Sequence, residues 1–231
     1  EKPTIGIPRG LMVFYQQFPY WSTFFNELGF NVVVSEETNN QTVKKDLSKI
    51  VAETCFPVEV MHGHIYELLD DKIDFVFTPF IINAKAHKDN PTSNCNCPWV
   101  QTVPFMVKAS IPEEQRARLL APTLNFRYYG KVVEKELHDY FGKRFKLSRK
   151  QIVEAMKKAD AMLVANFEIC MYLVGQGVDQ GADGLRRVDA VQGLDTTPGI
   201  RDLIHRDGRD GRHAGRGRGQ PDHGRARRAG I

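Results

Sequence analysis

Two cysteine segments stand where helices are predicted to begin. Glu53-Thr54-Cys55-Phe56-Pro57 is the first segment, and Asn94-Cys95-Asn96-Cys97-Pro98 is the second. Proline is favoured in the first turn of a helix. There the backbone N–H groups and the helix dipole favour a thiolate over a thiol. The two segments therefore predict thiolates that are reactive or bind metal, above all at Cys55 and Cys97.

Spacing alone leaves the chemistry of these thiols open. Thiolates in a partly dry site select iron–sulfur clusters or zinc. Cys55 and Cys97 are 42 residues apart and form no C-x-x-C pair. A buried, inert thiol is the alternative for any one of the cysteines. The residues thus leave a cluster, a structural zinc site and a packed thiol as possibilities.

Other polar residues offer less specific chemistry. His62 and His64 are about 200° apart on a predicted helix and do not face one ligand. We expect both to be hydrogen-bonded structural histidines, with one near a crevice and the other in solvent as the alternative. His87 lies in a long loop and receives no role. The segment 6–10 lacks the phosphate-loop patterns, although Arg9 could meet an anionic group at the end of a strand.

Strands and helices alternate along the chain and position these residues. We predict strands at 4–8, 30–34, 73–79 and 119–122. The continuous run at 30–34 indicates a strand that is buried on both faces. We predict helices at 20–28, 39–50, 57–69, 98–109, 129–141 and 148–163, with Ser148 as an N-cap, and a loop at 80–96. This order predicts a Rossmann-like α/β fold, with a mostly parallel sheet and helices on both faces. Both cysteine segments fall at its ligand-binding carboxyl edge.

The composition changes sharply toward the end of the chain. Residues 181–231 contain eleven Arg, seven Asp and no Lys, Glu, aromatic residue, Met or Cys. The remaining 180 residues hold 21 basic and 21 acidic side chains, and this neutral balance argues against nucleic-acid binding. We predict an α/β domain at 1–165 and an arginine-glycine-rich tail at 166–231. The tail is disordered or out of frame, with an RNA-binding tail or a solvated linker as alternatives.

The remaining features concern location. No run of about 18 apolar residues exists, so no membrane span is expected. Four cysteines are too few for a disulfide scaffold in a chain of 231 residues. The chain shows no secretory leader and begins at Glu1. We therefore expect a cytoplasmic protein and a fragment of a longer one.

Several separated blocks together resemble a known family. The blocks are Ile5-Gly-Ile-Pro-Arg-Gly-Leu11, Phe18-Pro-Tyr-Trp21, Phe24-Phe-Asn-Glu-Leu-Gly-Phe30, Glu53-Thr-Cys-Phe-Pro57, His62-Gly-His64, Asp74-Phe-Val-Phe-Thr-Pro79 and Cys97-Pro-Trp-Val-Gln101. In this order they are similar to the uncharacterised domain of 2-hydroxyacyl-CoA dehydratase activases. That domain belongs with the benzoyl-CoA reductase and 2-hydroxyglutaryl-CoA dehydratase component group. The resemblance covers about residues 3–160.

The resemblance implies a cofactor and partners. Relatives hold a [4Fe–4S] cluster through cysteines on Rossmann-like lobes, and an activase drives one electron onto it by ATP hydrolysis. Carried over, Cys55 and Cys97 become cluster ligands, and Cys95 is a substitute ligand or a bystander. A third ligand in the relatives comes from a later lobe, a role not assigned to Cys170. The activase ATPase motifs are absent, so we expect no ATP hydrolysis by this chain.

Two functions follow from these observations. The first is an iron–sulfur electron-transfer module that works with an activase ATPase module and a CoA-ester dehydratase or reductase in an anaerobe. The second is a non-catalytic docking or scaffold domain of the same system. The neutral surface, the lack of an acid–base constellation and the aromatic residues between 14 and 21 favour the second. No catalytic residue is identified, and enzyme activity is left undecided.

Overall fold

The computed structural model describes residues 2–47, 53–71, 73–85 and 94–175, with the backbone alone at 45–47 and 168–175. Residues 1–171 form one compact unit, which the following paragraphs concern. His87, the side chain of Cys170 and the arginine-glycine stretch from 176 onward lie outside the described residues. The predicted domain boundary at residue 165 stays a prediction.

A parallel four-stranded sheet forms the centre of the fold. Its strands are β1 (Thr4–Ile7), β2 (Asn31–Val34), β3 (Phe75–Phe77) and β5 (Leu119–Leu120), in the order β2-β1-β3-β5. Register places Ile5 beside Val32 and Phe75, and Val76 beside Leu119. Strand β2 is added on one side of β1, and β3 and β5 are added on the other side, so the strand order reverses between β1 and β3. This reversal makes the carboxyl ends of those strands the expected ligand crevice.

Helices cover both faces of the sheet, as predicted. The helices are α1 (Leu11–Tyr15), α2 (Phe18–Glu27), α3 (Asn40–Leu47), α4 (Phe56–Asp70), α5 (Pro98–Ser110), α6 (Glu113–Arg116), α7 (Lys131–Leu137), α8 (Lys143–Phe145) and α9 (Arg149–Gly175). A 3₁₀ turn spans Phe126–Tyr128, and a π-helical turn at His138–Gly142 joins α7 to α8. Among the described residues, no helix is long and apolar enough to cross a membrane.

The two faces of the sheet have different packing. Trp21 on α2 contacts Phe77 of β3 with ring centroids 4.6 Å apart, and Phe75 meets Phe145 on the same face. Gly6 of β1 leaves space on the opposite face, where a Cβ atom would approach Leu68 of α4 to 2.9 Å. Because residues alternate between the faces of a strand, the aromatic core and α4 lie on opposite sides of the sheet.

Two predictions about the strands are wrong. The segment predicted as a loop at 80–96 contains β4 (Phe80–Asn83), which pairs in parallel with β6 (Thr123–Asn125). The ladder continues past Pro79 and Pro122, because the Phe80 N–H donates to the carbonyl of Pro122 at 2.9 Å. The pairing of the two segments thus continues beyond the prolines. β2 was expected to be buried on both faces, yet it lies at the sheet edge and stays partly exposed.

The N-terminus of α9 confirms the predicted cap. Gln151 N–H donates to Ser148 Oγ at 3.3 Å, while Ser148 N–H donates to Gln151 Oε1 at 2.9 Å. This reciprocal pair is a capping box, which satisfies donors that a helix start leaves unpaired. The helix then places Ile152, Ala155 and Ala159 in the core.

Candidate functional site at the carboxyl edge of the sheet

Cys55 and Cys97 are the N-cap residues of α4 and α5. Neither side chain caps its helix by a hydrogen bond, and a proline stands in the first turn of each. The backbone carbonyl of Cys55 accepts from the Val58 N–H at 2.9 Å, and that of Cys97 accepts from the Gln101 N–H at 3.1 Å. Both thiols are free and exposed. The sequence prediction of two cysteines at helix starts is confirmed, and the alternative of buried thiols is wrong for both.

The two helices run in the same direction. Met61 of α4 and Val103 of α5 line one small cavity. Further along, the Tyr66 hydroxyl is 2.6 Å from Ser110 Oγ. Met61 and Val103 each lie six residues after their N-cap cysteine. Since the contacts proceed in the same order along both helices, Cys55 and Cys97 stand at the same end of the α4–α5 pair.

That end is the carboxyl edge of the sheet. Arg118, which precedes β5, donates through Nη1 to the carbonyl of Leu69 at 2.6 Å and through Nη2 to the carbonyl of Ile73 at 2.8 Å. The C-terminus of α4 therefore lies where strands β3 and β5 begin. The N-terminus of α4, with Cys55, therefore lies at the edge formed by the carboxyl ends of the strands. Open α/β sheets bind their ligands at this edge.

Cys95 occupies a separate extended segment beside β4. It forms an isolated antiparallel bridge with Asn83, and its thiol is free and exposed. Among the described residues, no group of three or more His, Cys, Asp or Glu side chains has a geometry that could hold a metal ion. Cys55, Cys95 and Cys97 thus share an edge of the fold but do not form a three-ligand set.

A polar cluster lies at the ends of β1 and β2. The Arg9 N–H donates to Ser35 Oγ at 2.8 Å, and Arg9 Nε donates to the Ser35 carbonyl at 3.3 Å. His64 Nε2 lies 2.9 Å from Thr38 Oγ1, and His64 Nδ1 lies 3.7 Å from Glu67 Oε2. Burial, with a further contribution from the Arg9 charge, lowers the pKa of His64 to about 4. The imidazole is therefore neutral near pH 7.

Both histidines of α4 are buried, as expected for structural histidines, and the alternative that one faces solvent is wrong. The exposed fractions of His62 and His64 are 3% and 0%. Burial lowers the pKa of His62 to about 4. Helix α3 covers the outer side of α4, and a Cβ atom on Gly63 would lie 2.2 Å from the carbonyl oxygen of Thr42. The glycine allows α3 so close that both flanking histidines are enclosed. The hydrogen bond between Thr38 Oγ1 and His64 Nε2 supports a structural role for His64.

A small cavity lies at the crevice between β1 and β3. Its volume is about 20 Å³, and apolar side chains of α1, α4, β4 and α5 form its walls. The buried Thr78 hydroxyl borders it and has no hydrogen-bond partner among the described residues. This volume has room for about one water molecule. The cavity is too small to hold a cofactor in this form.

Sequence reasoning missed two aromatic side chains beside the thiols. Phe56 is 60% exposed and Trp99 is 44% exposed, although both belong to short apolar runs. Their positions in the first turn of α4 and α5 could have identified them, because a first-turn side chain lies beyond most of the helix packing surface. Tyr20 and Trp21 are buried, as expected for core residues, whereas Tyr15 is 71% exposed.

Comparison with known proteins identifies one family. The family described as the CoA enzyme activase uncharacterised domain matches residues 4–169, which include both cysteine segments. No curated protein and no solved structure matches the chain.

Proposed function

Because the chain belongs to the family of the CoA enzyme activase uncharacterised domain, we propose that it is an iron–sulfur electron-transfer module. It serves an ATP-driven system that activates a CoA-ester dehydratase or reductase. The family description supports the association with CoA enzyme activases. The observation that carries the finer proposal is the placement of Cys55 and Cys97, exposed, at the same end of two parallel helices.

The donor chemistry at this edge fits an iron–sulfur cluster in part. Helix N-termini stabilise thiolates, and cysteine thiolates are the usual ligands of [4Fe–4S] clusters. Cys55 and Cys97 supply two such ligands. The remaining ligands come from a partner or from residues outside the described part of the chain. When bound, the cluster supplies one-electron chemistry.

The chain itself supplies the two thiolates and, next to them, an exposed aromatic surface on which a partner can dock. The side chains of Phe56 and Trp99 stand exposed in the first turns that follow Cys55 and Cys97. A partner that covers these aromatic rings removes water from the neighbourhood of the thiolates, which strengthens electrostatic interactions there. The proposed partners are the activase ATPase module and the dehydratase or reductase component. The free thiols of Cys55, Cys95 and Cys97 suit the reducing cytoplasm, which we propose as the location.

Iron and acid-labile sulfide per chain test the proposal. The full chain is purified without oxygen as wild type, Cys55→Ser, Cys97→Ser and, as a neighbouring-thiol control, Cys95→Ser. We expect about four irons and four sulfides per wild-type chain, the composition of a [4Fe–4S] cluster, in the chain alone if it supplies the remaining ligands and only with the partner present if the partner supplies them. We expect their loss in Cys55→Ser and Cys97→Ser and retention in Cys95→Ser. Iron that stays in both of the first two variants would refute the ligand assignment.

The second candidate function is a non-catalytic docking or scaffold domain. The exposure of Phe56 and Trp99 at one edge favours it, because large exposed aromatic side chains are typical of interaction sites. The double variant Cys55→Ser/Cys97→Ser should then bind the activase module as the wild type does. Phe56→Ala/Trp99→Ala should weaken the same interaction in a pull-down or titration. Loss of binding in the cysteine variant alone would speak against a pure scaffold.

A further inference from the structure

The segment at 94–97 is fixed against β4 by a series of hydrogen bonds. The Asn96 N–H donates to the Ile82 carbonyl at 3.0 Å, and the Ala84 N–H donates to the Asn94 carbonyl at 2.8 Å. Asn96 Nδ2 donates to the Ile81 carbonyl at 2.8 Å. These bonds flank Cys95 on both sides, so the segment is extended and held in place.

This anchoring determines where the side chains of the segment lie. The Asn96 side chain is directed toward β4, and alternate residues of an extended chain lie on opposite sides. Cys95 and Cys97 therefore project together on the other side, and both are exposed and free. The Gln101 side chain, which donates through Nε2 to the Asn96 carbonyl at 2.7 Å, fixes the segment to α5 as well.

The spacing of the two thiols favours a bridging ion over a disulfide. Residues two apart in an extended chain are separated by about 6.6 Å, and side chains on the same side keep about that distance between their Cβ atoms. A disulfide requires about 3.5–4.5 Å between Cβ atoms. Two thiolates that share one metal ion at about 2.3 Å each place their sulfur atoms up to about 4.6 Å apart. Rotation of both side chains toward one ion can bring the two sulfur atoms from the wider Cβ spacing to this distance.

We propose that Cys95 and Cys97 form a two-thiolate clamp for one soft metal ion, best suited to Cu⁺. Thiolate ligands suit Cu⁺, zinc and iron–sulfur clusters, and of these Cu⁺ is the one that two ligands can satisfy. Binding forms two metal–sulfur bonds and releases the two thiol protons to solvent. No third His, Cys, Asp or Glu of the described residues completes the site, which leaves the ion open to exchange with another thiol carrier.

The clamp goes beyond the proposed electron-transfer function and competes with it. A chain whose Cys97 holds the clamped ion cannot give that thiolate to a cluster. Cys95 separates the two activities, because the clamp needs it and the cluster proposal does not. Failure of one proposal therefore leaves the other intact.

The test is anaerobic titration of the reduced, metal-free full chain with Cu⁺ in competition with a chromophoric Cu⁺ chelator. We expect one tightly bound ion per chain. Cys95→Ser and Cys97→Ser should each weaken binding by about 10²-fold, because the second thiolate then no longer binds intramolecularly. Cys55→Ser is the matched control and should bind as the wild type does. Circular dichroism verifies that each variant is folded.

Two results would overturn the clamp. Binding that survives Cys95→Ser unchanged would place the ion elsewhere. Equal losses in Cys55→Ser and Cys95→Ser would show a site that uses all three thiols. As a further check, Asn96→Ala keeps both thiols and removes the anchor to β4. It should bind one ion more weakly than the wild type, and unchanged affinity would refute the role of the fixed segment.

Discussion

Substitution of Gly63 by alanine tests the close contact between α3 and α4. A Cβ atom at this position would lie 2.2 Å from the carbonyl oxygen of Thr42, whereas ordinary van der Waals contact begins at about 3.4 Å. One of the helices must therefore move by about 1.2 Å. The obstacle is backbone, so no side-chain rotation relieves the clash.

Two opposing effects set the magnitude. Alanine in place of glycine stabilises a helix interior by about 1 kcal/mol. Overpacking of a well-packed interface costs about 1–3 kcal/mol, and a fixed backbone obstacle argues for the upper end. We expect a net decrease of about 2 kcal/mol in the free energy of unfolding. For a domain of this size the decrease corresponds to a fall in Tm of about 4–8 °C.

Urea denaturation followed by circular dichroism measures the effect. The matched control is Gly142→Ala, in the π-helical turn, where a Cβ atom would lie 3.1 Å from side-chain atoms of His138 and 3.3 Å from the carbonyl oxygen of Leu147. Because that side chain can rotate, the control should stay within about 1 kcal/mol of the wild type. A Gly63→Ala variant as stable as the wild type, or more stable, would refute the packing argument. It would mean that α3 does not enclose the histidines of α4.

Three further predictions concern pH, a half-buried arginine and a helix cap. The free energy of unfolding should fall as the pH drops from about 6.5 toward 4. Burial lowers the pKa of His62 and His64 to about 4, so between these pH values the unfolded chain binds protons that the folded chain does not. The loss is up to about 3 kcal/mol per histidine, and urea titrations across this pH range should show a shallower slope for His62→Leu. Arg118→Lys should lower the free energy of unfolding by about 2 kcal/mol, because a single ammonium cannot reach the carbonyls of Leu69, Asp71 and Ile73 together; unchanged thermal unfolding would contradict this. Ser148→Ala should cost about 1 kcal/mol through loss of the capping box, with Ser148→Asp as the variant that restores stability.

The sequence predicted most elements of the fold because their signals are local. Pro57 and Pro98 indicate the starts of α4 and α5, and the described helices begin within one residue of each. Ser148 likewise indicates the start of α9. Strands β4 and β6 were missed because each follows a proline and is short. The two strands pair across more than 40 positions of sequence, and no local sequence pattern predicts which distant segment a strand pairs with.

The candidate site was predicted in part. The proline in the first turn after each cysteine correctly predicted that Cys55 and Cys97 stand at helix starts. The α/β fold class predicted that these starts lie at the carboxyl edge of the sheet. The element that covers His62 and the exposure of Phe56 were not foreseen. Both depend on which neighbouring element covers a given side of a helix, and helical periodicity defines the sides without saying what packs on them.

The sequence by itself determined the alternation of strands and helices, the caps and the residues available for chemistry, because these features follow from backbone preferences within a few positions. Only the tertiary structure decided that α4 and α5 run side by side in the same direction, so that Cys55 and Cys97 share one end. It also decided that Asn96 is anchored to β4, which fixes the segment that carries Cys95 and Cys97. The physical reason is that packing brings distant segments into contact, and the direction of a side chain depends on the contacts that its neighbours make.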